Sequence, residues 1–141
     1  MFENDYIMRM ILQLGTVLRR SWLRQYDDFD AEREDIERAI GDAVDIEPKT
    51  LLSLAPESIV SMLALGNFDA ELGGYVVRAL YFEADLLEKQ GLFGTSDLRK
   101  AQANAIADAY GIDKDIANAG PEMLKELFRE QGVDNSYSES E

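Results

Sequence analysis

The sequence predicts an all-α fold, an antiparallel helical bundle of about six helices. Apolar residues recur at intervals of three and four along most of the chain, which is the spacing of one helix face. No segment alternates apolar and polar residues with the β-branched enrichment that is typical of strands. The loops between the helical patterns are short, and short loops place successive helices antiparallel. Residues 1–132 are predicted to form a single domain, and residues 133–141 a flexible acidic tail.

The first helix, from Tyr6 to Trp22, is predicted to be the most enclosed element. Its apolar side covers more than half of the circumference, whereas a surface helix needs an apolar arc of about 100°. The residues of this side are Ile7, Met8, Met10, Ile11, Leu12, Leu14, Val17, Leu18, Trp22 and Leu23. We therefore expect several neighbouring helices, or a second copy of the chain, to cover it.

Capping residues and prolines mark where helices begin, and glycines mark where they end. The expected caps and first residues are, in chain order, Asn4 or Asp5, the segment 27–30, Pro48, Pro56, Asp69, Thr95 or Ser96, and Pro121. The expected ends are Gly66-Asn67, Gly91, Gly111 and Gly132. The resulting helices include 31–44, 70–90 and one that ends near Tyr110, with one further turn at 114–118.

Three of these helices have a clear inner stripe. The stripe of 31–44 is narrow, and its residues are Ile36, Ala39, Ile40, Ala43 and Val44. The stripe of 70–90 contains Leu72, Tyr75, Val76, Ala79, Phe82, Leu86 and Leu87. The helix that ends near Tyr110 is expected to bury small side chains, which let helices approach closely: Leu98, Ala101, Ala105 and Ala109.

Glu83 is the most informative single residue, because it falls near the middle of the apolar face of the helix 70–90. A carboxylate in that position must find a partner, take up a proton or face a cavity. We expect a buried or half-buried pair with Arg19, which strays from the polar strip of the first helix. Arg20 or a tyrosine hydroxyl is the substitute partner. The alternative is a ligand-binding groove lined by Glu83, Tyr75 and the first helix.

The composition removes several classes of site. The chain has no cysteine and no histidine, which excludes disulfides, thiolate zinc sites and self-contained Ser-His or Cys-His nucleophile systems. The segment 28–32 has the first acidic positions of a calcium loop, but Arg33 stands where that loop requires glycine and Ala39 where it requires glutamate. Helix capping explains this segment better. No metal, cofactor or catalytic residue is predicted.

The formal net charge of −14 disfavours nucleic-acid binding, because an acidic surface repels phosphates. The charge is uneven: Arg9, Arg19, Arg20 and Arg24 lie in or next to the first helix, whereas the segment 27–45 is rich in Asp and Glu. These stretches are expected to neutralise each other in a hairpin; the alternative is a basic docking strip for an acidic partner. No secretion signal or membrane span is visible, so a cytoplasmic location without membrane binding is expected.

Two segments resemble known families. The segment 79–91 (ALYFEADLLEKQG), followed by a helix with alanines every fourth residue, resembles a degenerate tetratricopeptide-type hairpin. The loop 92–97 is longer than that repeat allows, and no second repeat follows at a period of about 34 residues. Residues 1–11 together with 51–58 (LLSLAPES) resemble an uncharacterised family of small bacterial helical proteins. This resemblance implies a tetratricopeptide-like array of helical hairpins in the bacterial cytoplasm, without an assigned activity.

These observations predict a non-enzymatic helical module that binds a partner protein or forms a homodimer. The alternative is a regulatory protein that binds a small molecule or peptide in a pocket near Glu83. A filled core with an exposed apolar patch favours the first function, and a deep polar pocket at Glu83 favours the second. The residues expected in an interaction site or polar network are Tyr6, Arg9, Arg19, Trp22, Tyr75 and Glu83. Phe93 and the other aromatic residues near helix ends are expected to pack in the core.

Overall fold

The computed structural model describes residues 2–23, 28–66 and 68–117, with side chains described within 8–20, 28–66 and 68–115. These residues form seven helices and contain no strand, which confirms the all-α prediction. The helices are α1 (Phe2–Leu23), α2 (Phe29–Val44), α3 (Pro48–Leu52), α4 (Pro56–Leu63), α5 (Ala70–Lys89), α6 (Phe93–Tyr110) and α7 (Lys114–Ala117). The predicted last helix and the predicted tail lie outside the described residues. No helix in the described ranges has the length and hydropathy needed to cross a bilayer.

Local capping explains where four of the helices begin. The Asp28 carboxylate accepts a hydrogen bond from the amide of Ala31 at 3.1 Å, so this aspartate caps α2, as expected. Asp69 caps α5 in the same way, accepting from the amide of Leu72 at 2.9 Å. Pro48 and Pro56 are the first residues of α3 and α4, where a missing N–H costs no hydrogen bond.

Three predicted helix boundaries are wrong. α1 begins at Phe2, so Asn4 and Asp5 lie inside its first turn. α4 ends at Leu63 in a tight turn in which the Gly66 amide donates to the Leu63 carbonyl, and Gly66 does not adopt the left-handed conformation. α6 begins at Phe93, before Thr95 and Ser96. Ser96 is lost as a cap because its hydroxyl bonds another helix: it donates to the Ala84 carbonyl of α5 at 2.8 Å.

α5 lies at the centre of the fold and contacts α1, α2, α6 and α7. The predicted inner faces of α2 and α5 are confirmed, with only Val44 and Phe82 half-buried instead of buried. α1 contacts both α2 and α5 and buries Ile11, Leu14 and Leu18. The predicted enclosure of α1 is therefore confirmed only in part, because Met10, Leu12 and Val17 are half-buried. It is wrong at its margin, where Met8 is 39% exposed.

The predicted inner face of α6 is wrong. Leu98, Ala101 and Ala105 are half-buried and Ala109 is exposed. Three of the buried residues of this helix are polar. The buried residues are Ser96, Arg99, Gln102, Ala103, Ile106 and Ala107. α6 therefore turns a polar stripe towards α5 and the α3–α4 turn.

Candidate functional site

Glu83 and Arg99 form a buried pair between α5 and α6. Arg99 Nε donates to Glu83 Oε1 at 2.9 Å, and the Glu83 side chain is 0% exposed. The expectation of a buried, partnered carboxylate is confirmed, but the expected partner Arg19 is wrong. The guanidinium comes from α6, the helix that packs most extensively against α5, and not from Arg19 of α1.

Glu37 of α2 completes the charged part of this cluster. Its Oε2 lies 3.8 Å from Nη2 of Arg99. Glu83 Oε2 has no hydrogen-bond partner among the described residues. Burial, followed by the neighbouring carboxyl group of Glu37, raises the pKa of Glu83 to about 9 against the opposing charge of Arg99. The raised pKa favours the neutral form of Glu83.

The same stripe of α6 holds the turn between α3 and α4. Arg99 Nη1 donates to the Leu52 carbonyl at 2.9 Å. Gln102 Nε2 donates to the carbonyls of Leu52 and Leu54 at 3.0 and 2.8 Å. These carbonyls lie at and just after the end of α3, where no helical N–H is available to bond them. The side chains of α6 supply the missing donors. We call Glu37, Glu83, Arg99 and Gln102 the buried polar cluster.

The buried polar cluster is enclosed and holds backbone carbonyls in place. Arg99 is almost fully covered and its donors are bonded to Glu83, Leu52 and Gln102. None of the three grooves described below is lined by Glu83. Within the described residues, no group of three or more acidic, His or Cys side chains is arranged to hold a metal ion.

The other predicted site residues do not join this cluster. Arg9 is exposed and Arg19 half-buried on α1. Tyr75 is buried on α5, two turns before Glu83, and its ring lies 5.5 Å below the guanidinium carbon of Arg78. The side chains of Tyr6 and Trp22 lie outside the described residues. The predicted grouping of Tyr75, Glu83 and α1 around one groove therefore gains no support among the side chains that the structure describes.

An apolar groove lies between the end of α2, α4 and the start of α5. It has a volume of about 560 Å³. We call it the α4 groove, and its lining is Ala43, Val44, Asp45, Ile46, Met62, Leu63, Leu65, Gly66, Phe68 and Leu72. Leu65 is 85% exposed, the most exposed large apolar side chain among the described residues. Phe68 is held from behind by an edge-to-face contact with Tyr110, with ring centroids 5.0 Å apart.

A second groove adjoins the first and shares Asp45 and Ile46 with it. Its volume is about 440 Å³, and it lies between α1 and the α2–α3 turn. The lining is Met10, Gln13, Gly41, Asp42, Asp45, Ile46, Glu47 and Pro48. We call it the acidic groove, because three of these residues are carboxylates and none is a lysine or arginine.

A third groove, of about 400 Å³, lies between α5, α6 and α7 and is polar. Both of its lysines are paired inside the chain: Lys100 pairs with Glu88 at 2.9 Å, and Lys114 pairs with Asp108 at 2.6 Å. Tyr81 donates to the Asn104 side chain across it. These pairs make it a solvated contact between helices and a weak candidate for ligand binding.

A smaller apolar patch lies at the α5–α6 corner. Phe93 is 61% exposed and Leu92 is 45% exposed, so the expectation that Phe93 packs in the core is wrong. The chain turns at Gly91, whose φ of 81° lies in the left-handed region that glycine favours. This turn carries the two side chains away from the core.

Sequence reasoning missed Arg99 and Gln102, and Ile106 was the signal that could have found them. Counting back four and seven residues from this large aliphatic side chain gives Gln102 and Arg99, on the same helix face. A buried Glu83 requires a donor from a neighbouring helix, and Arg99 lies on the helix that follows α5. The alanine periodicity of α6 indicated a different face.

Comparison with protein-family models, with curated proteins and with solved structures finds no match to this chain. The resemblance to tetratricopeptide hairpins and to a bacterial helical family therefore stays a prediction.

Proposed function

We propose that this chain is a non-enzymatic helical protein-interaction module and that the α4 groove is its recognition surface. The observation that carries this proposal is the exposure of Leu65 on the rim of a groove whose lining is otherwise largely apolar. Leu65 and the apolar lining of the groove are in contact with water. A partner that covers them removes this apolar surface from water, which favours binding by about 25 cal/mol per Å².

The groove is preformed, because both of its walls are fixed from inside the chain. Met62 and Leu63 lie on α4, and the turn before α4 is held by Arg99 and Gln102. Phe68 is held by its contact with Tyr110. A preformed surface loses less conformational entropy on binding than a flexible one, which suits recognition of a partner segment.

A protein segment fits this groove better than a buried small molecule. Small-molecule sites enclose roughly 70–90% of their ligand, whereas Leu65 on the rim of the α4 groove is 85% exposed. A groove that is open on one side leaves part of its ligand in water, as grooves that bind helices do.

Selection from a phage-displayed peptide library on the immobilised chain tests the proposal. We expect enriched peptides that bind the wild-type chain and lose at least tenfold in affinity for Leu65→Asp. Because Leu65 is almost fully exposed, this variant should keep the wild-type circular dichroism spectrum and melting temperature. Leu92→Asp is the matched control, since it places the same charge on the other apolar patch, and it should leave binding unchanged. Failure to enrich any peptide, or equal loss in both variants, would reject the α4 groove as the recognition surface.

A further inference from the structure

We infer that the ligand of the α4 groove is an amphipathic helix of another protein, with lysine or arginine beside its apolar face. This inference rests on the proposed function and adds the chemistry of the partner. It depends on the charges around the groove, on the absence of a sheet edge in the described residues, and on the surfaces that the chain itself could offer.

Carboxylates line the α4 groove and the acidic groove that adjoins it. The α4 groove and the acidic groove share Asp45, and Asp42 lies one turn before it in the second groove. Neither carboxylate forms an ion pair within the described part of the chain. No lysine or arginine is found among the described lining residues of either groove. The grooves therefore offer unneutralised negative charge next to apolar surface.

Two further exposed carboxylates are sequence neighbours of groove residues, although neither lines the groove. Asp69 follows Phe68, and Glu71 precedes Leu72. Asp69 uses one oxygen to cap α5. A ligand seated in the groove meets the negative charge of Asp45, and complementarity then requires positive charge on the ligand.

The walls of the groove favour a helical ligand. They are formed by α2, α4 and α5, and the described residues contain no strand whose edge could pair with an extended peptide. A helix laid into a groove between helices places apolar residues at i, i+3, i+4 and i+7 against the wall. Its flanking positions then lie near the rim, where lysine and arginine side chains reach the carboxylates.

The chain itself is a poor source of this ligand. α1 is the basic helix, but Ile11, Leu14 and Leu18 are buried inside its own fold. The segment 121–132 has the right apolar spacing in the sequence but contains three glutamates against one lysine and one arginine. A different protein therefore fits the charge requirement better than a second copy or the chain's own C-terminal segment.

The peptides selected on the full chain provide the first test. Compared with the unselected library, we expect enrichment of lysine and arginine beside apolar residues at helical spacing. Replacing the basic residues of the best peptide with glutamate should weaken its binding at least tenfold. Peptides without a charge preference, or with enriched Asp and Glu, overturn this inference and leave the proposed function standing. Failure to select any peptide rejects both.

Two double variants test the location of the charge. Asp42→Asn with Asp45→Asn should weaken the best peptide by about 2- to 10-fold, as expected for two exposed charge contacts. Glu34→Gln with Asp97→Asn makes the same change in net charge, from −14 to −12, at exposed positions that line neither groove. This control should leave the affinity unchanged. Equal weakening in both variants indicates general attraction to an acidic chain and overturns the inference.

Discussion

Arg99 donates to Glu83 at 2.9 Å, and both side chains are buried where α5 and α6 meet. Because the pKa of Glu83 is raised, this contact is a charge-assisted hydrogen bond to a carboxyl group that favours its neutral form, and Glu37 Oε2 lies 3.8 Å from Nη2 of Arg99. Arg99 also bonds the Leu52 carbonyl, so one side chain links α2, α5, α6 and the α3–α4 turn. Removal of the Arg99 side chain and removal of the ionisable group of Glu83 should therefore change the free energy of unfolding by very different amounts.

Replacement of Arg99 should therefore cost far more than replacement of Glu83 by its amide. Arg99→Ala removes the donor of Glu83, the charge beside Glu37 and one of the two donors of the Leu52 carbonyl. We expect a loss of about 3–5 kcal/mol in the free energy of unfolding. Glu83→Gln keeps the shape and the neutral charge and needs no proton on folding, so it should leave the stability at pH 7 unchanged or raise it. Urea denaturation at pH 7 measures both. Lys89→Ala, which breaks an exposed pair with Asp85, is the control and should change stability by at most about 1 kcal/mol. Equal losses for Arg99→Ala and Glu83→Gln would contradict a protonated Glu83.

The stability of the fold should fall as the pH rises from about 5 to about 9. The pKa of Glu83 is raised from 4.5 in the unfolded chain to about 9 in the folded one, so the folded state binds the extra proton between these values. The contribution is complete below the unfolded pKa and is lost as the pH rises through the folded pKa. The slope from this group is at most about 1.4 kcal/mol per pH unit. Denaturation at pH 5, 7 and 9 should show a smaller decline for Glu83→Gln than for the wild type; parallel curves would argue against the raised pKa.

Loss of Gln102 should loosen α4, which forms one wall of the α4 groove. Gln102→Leu removes the donor of the Leu52 and Leu54 carbonyls and leaves the second of these without a bonded side chain. We expect a loss of about 1–3 kcal/mol. Hydrogen exchange should quicken in residues 53–63 more than in α5. Uniform quickening across the chain would indicate that the α3–α4 turn is not a separate unit of stability.

Two Gly→Ala replacements in helices should have opposite effects. A Cβ at Gly41 would lie 2.6 Å from Pro48 Cγ and 2.8 Å from the Ile46 carbonyl oxygen, so Gly41→Ala should destabilise by about 1–3 kcal/mol. A Cβ at Gly94 meets nothing within 4 Å, and Gly94→Ala should stabilise by about 0.5–1 kcal/mol through helix propensity. Thermal unfolding distinguishes the two, and the same sign for both would refute the close approach at Gly41.

Asp45→Gly should raise stability and weaken ligand binding together. Asp45 ends α2 with φ 58° and ψ 45°, a left-handed conformation that costs a non-glycine residue roughly 1 kcal/mol. Its charge also lies at the negative end of the α2 dipole, where no basic residue compensates it. We therefore expect a melting temperature above that of the wild type, with weaker binding of the selected peptides. A stabilised variant with unchanged affinity would remove Asp45 from the proposed recognition surface.

Local signals predicted much of the fold. The caps Asp28 and Asp69 and the prolines at 48 and 56 act within one turn of the chain, so the sequence indicates them directly. The inner faces of α2 and α5 follow from large apolar residues at helical spacing. Short loops do not show which helices pack against each other. The sequence pattern therefore favoured Arg19 of α1 as the partner of Glu83.

The buried polar cluster and the α4 groove could not be predicted in this way. Arg99 and Gln102 read as surface residues until Glu83 and the Leu52 carbonyl are placed beside them, some 16 and 47 positions away in the chain. The shape of the α4 groove depends on the angle between α4 and α5. The sequence of the connecting segment 64–69 does not determine this angle by itself. Long-range contacts decide both features.

The contact of α1 with α5 also affects how the chain is made. Synthesis on the ribosome proceeds from the N-terminus, so Ile11, Leu14 and Leu18 emerge long before the helix that helps to cover them. Until α5 has been synthesised, α2 can cover only part of this apolar face. A nascent chain that ends before residue 70 therefore exposes part of this apolar face, and this is the stage of synthesis at which the chain is most prone to aggregate.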